Sequence, residues 1–150
     1  MLLRKCRRNL RPGRWRGSLK GWGLVPVRKP YSDQAAIILK MSITGELKAF
    51  ASPLTFSNCY YILRKLASHE KVIDKLTKLF RIIDITRMSK KTVDLALNSD
   101  YKDFEDALQN YSAVHIEKLD AIITRNIKDF KNSELAVFSP EMFIKLSTKD

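Results

Sequence analysis

The sequence predicts an α/β fold on a mainly parallel sheet, and three observations carry that expectation. Short, continuous apolar runs of strand length recur along the chain: "LKAFA", "RIIDI", "AIIT" and "LAVF". Between them, apolar residues repeat at helical spacing. The unit strand, Ser-Pro, helix occurs twice, at Ser52-Pro53 and Ser139-Pro140. Runs that are apolar throughout, alternating with helices, belong to sheets buried on both faces.

Element by element, Ser32 is expected to cap a first helix carrying Ala35, Ala36, Ile38 and Leu39, which ends near Gly45. "LKAFA" follows as a strand. Ser52 then supplies an N-cap and Pro53 the first helical position. The next helix, over 54–67, places Phe56, Cys59, Tyr60, Leu63 and Leu66 on one stripe. A second, over 71–80, carries Val72, Ile73, Leu76, Leu79 and Phe80. "RIIDI" reads as a strand. Ser89 can cap a helix bearing Val93, Leu95, Ala96 and Leu97, and Phe104, Ala107, Leu108, Tyr111 and Val114 mark another. "AIIT" and "LAVF" are buried-type strands, and the final helix runs through Met142, Phe143 and Leu146. Tyr60, Tyr61, Ile62, Leu66, Leu79 and Phe80 are more than one face of a small domain readily buries, so some are expected to remain exposed for a partner.

Composition divides the chain in two. The formal net charge is +12, but ten of the 28 Lys/Arg lie in residues 1–29, which hold none of the 16 Asp/Glu. Residues 1–29 therefore read as a basic leader, interrupted by Pro12, Gly13, Gly17, Gly21, Gly23 and Pro26, without lasting periodicity and expected to be poorly ordered. Residues 30–150 read as one nearly neutral domain. No run approaches the ~20 apolar residues of a membrane span. Cys6 and Cys59 form no spaced framework, and with His69 and His115 they make no zinc spacing. A cytoplasmic protein with reduced thiols is the expectation.

In open α/β sheets ligands bind outside the carboxyl ends of the strands. Three groups fall there: Ser52, Thr55 and Asn58 after "KAFA"; Asp103, Glu105 and Asp106 at the start of "DFEDALQ"; and Thr124, Asn126 and Asp129 after "AIIT". Asp103 and Asp106, three apart, share one face of a first helical turn. A hard divalent cation would relieve their repulsion. On spacing alone the ordinary reading is preferred, with Asp103 an N-cap and Asp106 a first-turn acid. Taken singly, Thr55 and Asn58 read as residues of a helix start, Asp129 as a solvated loop acid, and His69 and His115 as surface histidines with no partner in view.

Together, "SPLTFSNCYYILRK", "DFEDALQNYSA", "IITRNIKDF" and "VFSPEMFI" resemble the PIN domain family, and within it the bacterial branch of VapC-type toxins. The resemblance covers about residues 28–146. It implies a three-layer α/β/α domain and an acidic pocket that binds Mg²⁺ or Mn²⁺ and cleaves RNA. It places Asp106 and Asp103 as catalytic and metal-binding acids, with Asn126 and Asp129 also at the metal. Thr55, Asn58 and Thr124 would support the pocket, and Arg125 and Lys128 would bind nucleic acid. Asn58 and Asn126 stand where the family has carboxylates, so weaker metal affinity is expected. An antitoxin protein and a homodimer are the further partners implied.

The family opens with a hydrophobic strand ending in aspartate, and residues 1–30 contain no acid. The first strand is thus expected to be missing or degenerate. Three origins of the leader compete: out-of-frame or mis-set translation, an Arg-rich arm for RNA, or a targeting peptide. The first is preferred. The implied function is a Mg²⁺-dependent, toxin-like endoribonuclease, impaired as written. The alternative is a PIN-like domain that no longer cleaves and serves in antitoxin or nucleic-acid binding.

Overall fold

A computed structural model of the chain describes residues 2–5 and 31–147. Strand β1 (Leu2–Lys5) comes first, followed among the described residues by helix α1 (Tyr31–Ile43). Helix α1 starts one residue before Ser32, so Ser32 does not cap it. Asp33 in the first turn instead complements the positive end of the helix dipole. The chain leaves α1 at Gly45, whose φ of 79° would strain a residue with a Cβ.

Strand β2 (Leu47–Ala51) coincides with "LKAFA". Helix α2 (Pro53–Arg64) opens as expected: Pro53 sits in the first turn and Ser52 Oγ accepts the Thr55 N–H at 3.2 Å. Helix α3 (His69–Phe80) follows, then β3 (Asp84–Ile85), which is only two residues long. The rest of "RIIDI" is claimed by the end of α3. The N–H groups of Ile82 and Ile83 donate to Leu79 O at 2.9 and 3.1 Å and so cannot join the ladder.

Helix α4 (Lys90–Leu97) begins with a reciprocal cap, in which Ser89 and Thr92 each bond the other's backbone N–H. Helix α5 (Phe104–Val114), strand β4 (Ala121–Ile123), a 3₁₀ turn (Ile127–Phe130), strand β5 (Ala136–Phe138) and helix α6 (Pro140–Ser147) complete the order. The second Ser-Pro works like the first, with Met142 N–H donating to Ser139 Oγ at 3.1 Å.

The sheet order is β3-β2-β1-β4-β5. Strands β2 and β3 pair in parallel, as do β4 and β5. Strand β1 lies between the two pairs and is antiparallel to both β2 and β4, with Leu2 opposite Phe50 and Ile122. Four strands therefore point one way and the central one points back. Of the two expectations for the first strand, missing or degenerate, the structure corrects the first: the slot is filled by Leu2–Lys5, a short strand in reversed direction. Four residues suffice because a strand between two neighbours can satisfy its backbone on both sides. The expectation of poor order in the remaining leader falls on residues 6–30, outside the described residues.

Helices cover both faces. On one, Leu47, Ala49, Ala51, Ala121 and Ile123 pack against Ile38 of α1 and Phe143 of α6. On the other, Phe50 and Ile122 meet Ala113 of α5, Leu119 and Phe130. Helix α4 lies on α5 through Ala96, Ala107 and Leu108. The result is a three-layer α/β/α arrangement. The carboxyl ends of β2, β3, β4 and β5 share one edge, where Thr86 N–H bonds Ala51 O at 2.9 Å and Thr124 N–H bonds Phe138 O at 3.0 Å. Among the described residues no helix is long and apolar enough to cross a membrane.

Candidate functional site

The polar residues of that edge are arranged by the start of α5. Asp103 is its N-cap: one carboxylate oxygen, Oδ1, accepts the N–H groups of Glu105 at 2.8 Å and Asp106 at 3.1 Å. The cap fixes the first turn and so fixes where the next two acids stand. Behind it, Thr86 Oγ1 donates to Ser112 Oγ at 3.2 Å, and Ser112 Oγ donates to Gln109 O at 2.9 Å. This buried chain ties the end of β3 to α5.

Glu105 reaches across to α2. Its Oε1 accepts Asn58 Nδ2 at 2.5 Å and Gln109 Nε2 at 3.0 Å. On the other side, the loop after β4 is held by Thr124, whose Oγ1 accepts the Asn126 N–H at 3.1 Å. Asn126 Nδ2 donates to the carboxylate of Asp129 in the 3₁₀ turn.

Asp106, half-buried between these arms, is the electrostatic centre. Burial, then the charges of Asp103, Asp129 and Glu105 in that order, raise its pKa from 3.8 to about 6. The charges on α5 and the 3₁₀ turn thus act on one carboxyl group. Among the described residues no donor or cation pairs with the Asp106 carboxylate, whereas Asp103, Glu105 and Asp129 each accept hydrogen bonds. One turn further along α5, the buried Asn110 Oδ1 also has no partner among the described residues.

Asp103 is the cap that spacing suggested. Asp106 is more than an ordinary first-turn acid, and Asp129 is half-buried in the cluster, not a solvated loop acid. Asn126 joins it there. Asn58 touches Glu105, which links it to the group from α2. Thr55 is turned toward Ser52, at 3.1 Å between hydroxyls, and belongs to the cap of α2. Arg125 and Lys128 are exposed on the β4 loop. His69, expected to lack a partner, has its Nδ1 within 3.0 Å of the Tyr60 hydroxyl. Glu105 is not among the ligands the sequence points to; its signal there is the Glu-x-x-x-Gln spacing that lets Gln109 reach it.

The donor set was weighed against a divalent cation. It is all oxygen, which suits Mg²⁺ or Mn²⁺ and not a soft metal. Among the described residues, however, no three acid, histidine or cysteine side chains converge closely enough to cage an ion. The amides explain part of this. Asn58 and Asn126 donate to Glu105 and Asp129, doing with N–H groups what a cation would do between carboxylates. Mg²⁺ commonly takes only one or two carboxylates and keeps its waters, so the residues fit such an ion, weakly held.

The helix pair α2–α3 leaves apolar surface uncovered. Tyr61 and Phe80 are 67% and 60% exposed, and Ile62 and Leu66 are also exposed. Tyr60 and Leu79 are partly buried.

The family model for the PIN domain matches residues 24–128, more than half of the chain. No curated protein and no solved structure matches the chain significantly.

Proposed function

Because the chain belongs to the PIN domain family, whose members are generally nucleases dependent on divalent metal ions, we propose that it is an endoribonuclease of the toxin-like branch with weakened catalysis. The observation that carries this reading is Asp106: a half-buried carboxylate, pushed up to about 6 by burial and three acidic neighbours, with no cation or donor beside it among the described residues. Such a group gains from a positive ion more than any other acid in the cluster.

Asp106 and Asp129 would hold Mg²⁺ or Mn²⁺, with Asp103 and the Asn126 amide oxygen beside them. When bound, the ion supplies charge neutralisation at the phosphate under attack. The chain's own contribution is positional. Asp103 fixes the first turn of α5, and Thr124 fixes the loop that carries Asn126. Glu105 and Asn58 lock α2 to α5. Arg125 and Lys128 would attract the RNA backbone.

A second reading, a domain that binds without cleaving, is favoured by the amides at Asn58 and Asn126 and by the absence of an acid in β1, whose residues are Leu, Leu, Arg and Lys. A cytoplasmic setting accompanies both readings. The exposed face of α2 and α3 is where we place an antitoxin or a second copy of the chain. Incubating the full chain with single-stranded RNA in EDTA and in Mn²⁺ tests the proposal. Products that need the metal are expected. A chain that binds RNA and yields no products at any metal concentration belongs to the second reading.

A further inference from the structure

A cavity of about 650 Å³ opens beside Asp129 and is lined by Asp100, Tyr101, Lys102, Lys128, Asp129, Lys131 and Asn132. Its volume is within the range of small-molecule sites. None of the three lysines forms an ion pair with another described residue, unlike Lys48, Lys78 and Lys145, which pair with Asp84, Asp74 and Glu141. Two acids share the lining, so the balance is one positive charge. Asp129 already accepts the Asn126 amide and belongs to the Asp106 cluster. The cleft is therefore acidic where Asp129 joins that cluster, and the balance of its other charged residues, three lysines against Asp100, is positive.

The wall of the cleft at Tyr101 is fixed, with the hydroxyl buried. The ring cannot swing away to solvent, because it packs edge-on against Tyr111 and Phe130, with centroids 6.1 and 6.2 Å apart. A cleft bordered by three lysines that lack an ion partner among the described residues suits an anion with several oxygens.

We propose that this cleft, through Lys102, Lys128 and Lys131, holds a phosphodiester of single-stranded RNA next to the one presented to Asp106 and Asp129. The inference rests on the ribonuclease reading for the nature of the chain it grips. It adds a subsite that reads backbone charge and not base identity.

The test uses the full chain in EDTA, with a fluorescent 12-nucleotide oligouridylate and, separately, inorganic phosphate as probes. The basic residues 1–29 also attract phosphate, so the readout must be local: amide shifts at positions 102, 128, 131 and 132, and the salt dependence of affinity. The oligonucleotide is expected to shift those amides. The triple variant Lys102→Gln, Lys128→Gln, Lys131→Gln is expected to lose the shifts and to lower the slope of log affinity against log salt by about 2, at roughly 0.7 per lost contact. Restoring charge with arginine at the three positions should recover both. An unchanged slope and affinity in the triple variant would overturn the subsite. So would saturation of the amides by inorganic phosphate with no response to the oligonucleotide. Because no metal is present, the two readings separate. Lysine-dependent binding by a chain that never cleaves removes the nuclease and keeps the cleft. Cleavage by a chain whose binding ignores the lysines does the reverse.

Discussion

Asp106 links the stability of the fold to the chemistry proposed for it. Its pKa is raised from 3.8 to about 6, so between those values the folded protein holds a proton that the unfolded chain releases. Stability therefore falls as pH rises from about 4 to 6, and the deficit is complete above pH 6. At full strength a shift of two units would be about 3 kcal/mol. Asp106 is only half-buried and solvent screens it, which reduces the expected deficit to about 1 kcal/mol. In metal-free buffer Asp106→Asn should thus be more stable than the parent at pH 7.5 by about 1 kcal/mol and no more stable at pH 4, as melting curves would show. Millimolar Mn²⁺ should raise the melting temperature of the parent and not that of the variant. The repulsion between Asp103 and Asp106 was legible in their spacing, but the burial of Asp106 and the charge of Asp129, 23 residues away in a turn whose geometry spacing does not reveal, were not. The cap role of Asp103 was legible, because capping is decided within three residues.

Among the elements, local rules held wherever the deciding groups were close in sequence. Both Ser-Pro units start helices, and Ser89 starts a third. Ser32 failed as a cap because α1 already begins at Tyr31, and "RIIDI" shrank because the end of α3 takes two of its N–H groups. Helix α5 matters most, since its first turn carries the site. Asp103→Ala should destabilise the protein by about 1 kcal/mol through loss of the cap. Asp103→Asn keeps a capping oxygen and removes a negative charge, so it should preserve the melting temperature and lower the Asp106 pKa, read by carboxyl NMR titration. If both variants lost stability equally, the charge and not the hydrogen bonds of Asp103 would be what holds the helix start.

At the scale of the whole molecule, the α/β fold was readable from strands that are apolar throughout, and its three layers from the family resemblance, but the centre of its sheet was not. "LLRK" is too short and too polar to announce a central strand, and its place depends on partners some 45 and 120 residues away. Leu3→Pro would delete a backbone donor between two neighbours and should cost about 1–3 kcal/mol; an unchanged melting temperature would mean that β1 contributes little to the sheet. The reversed strand brings Leu2, and no acid, to the edge where Asp106 stands. With amides at Asn58 and Asn126, negative charge is what would limit the proposed site. The direct measurement is Mn²⁺-dependent cleavage of single-stranded RNA by the parent chain, by Asp106→Asn, and by the double variant Asn58→Asp, Asn126→Asp. Slow, metal-dependent cleavage by the parent is predicted, abolished in Asp106→Asn and accelerated at least about tenfold in the double variant, as added carboxylates tighten a hard cation. Cleavage that survives Asp106→Asn, or a folded double variant that binds Mn²⁺ and still leaves RNA intact, would contradict it.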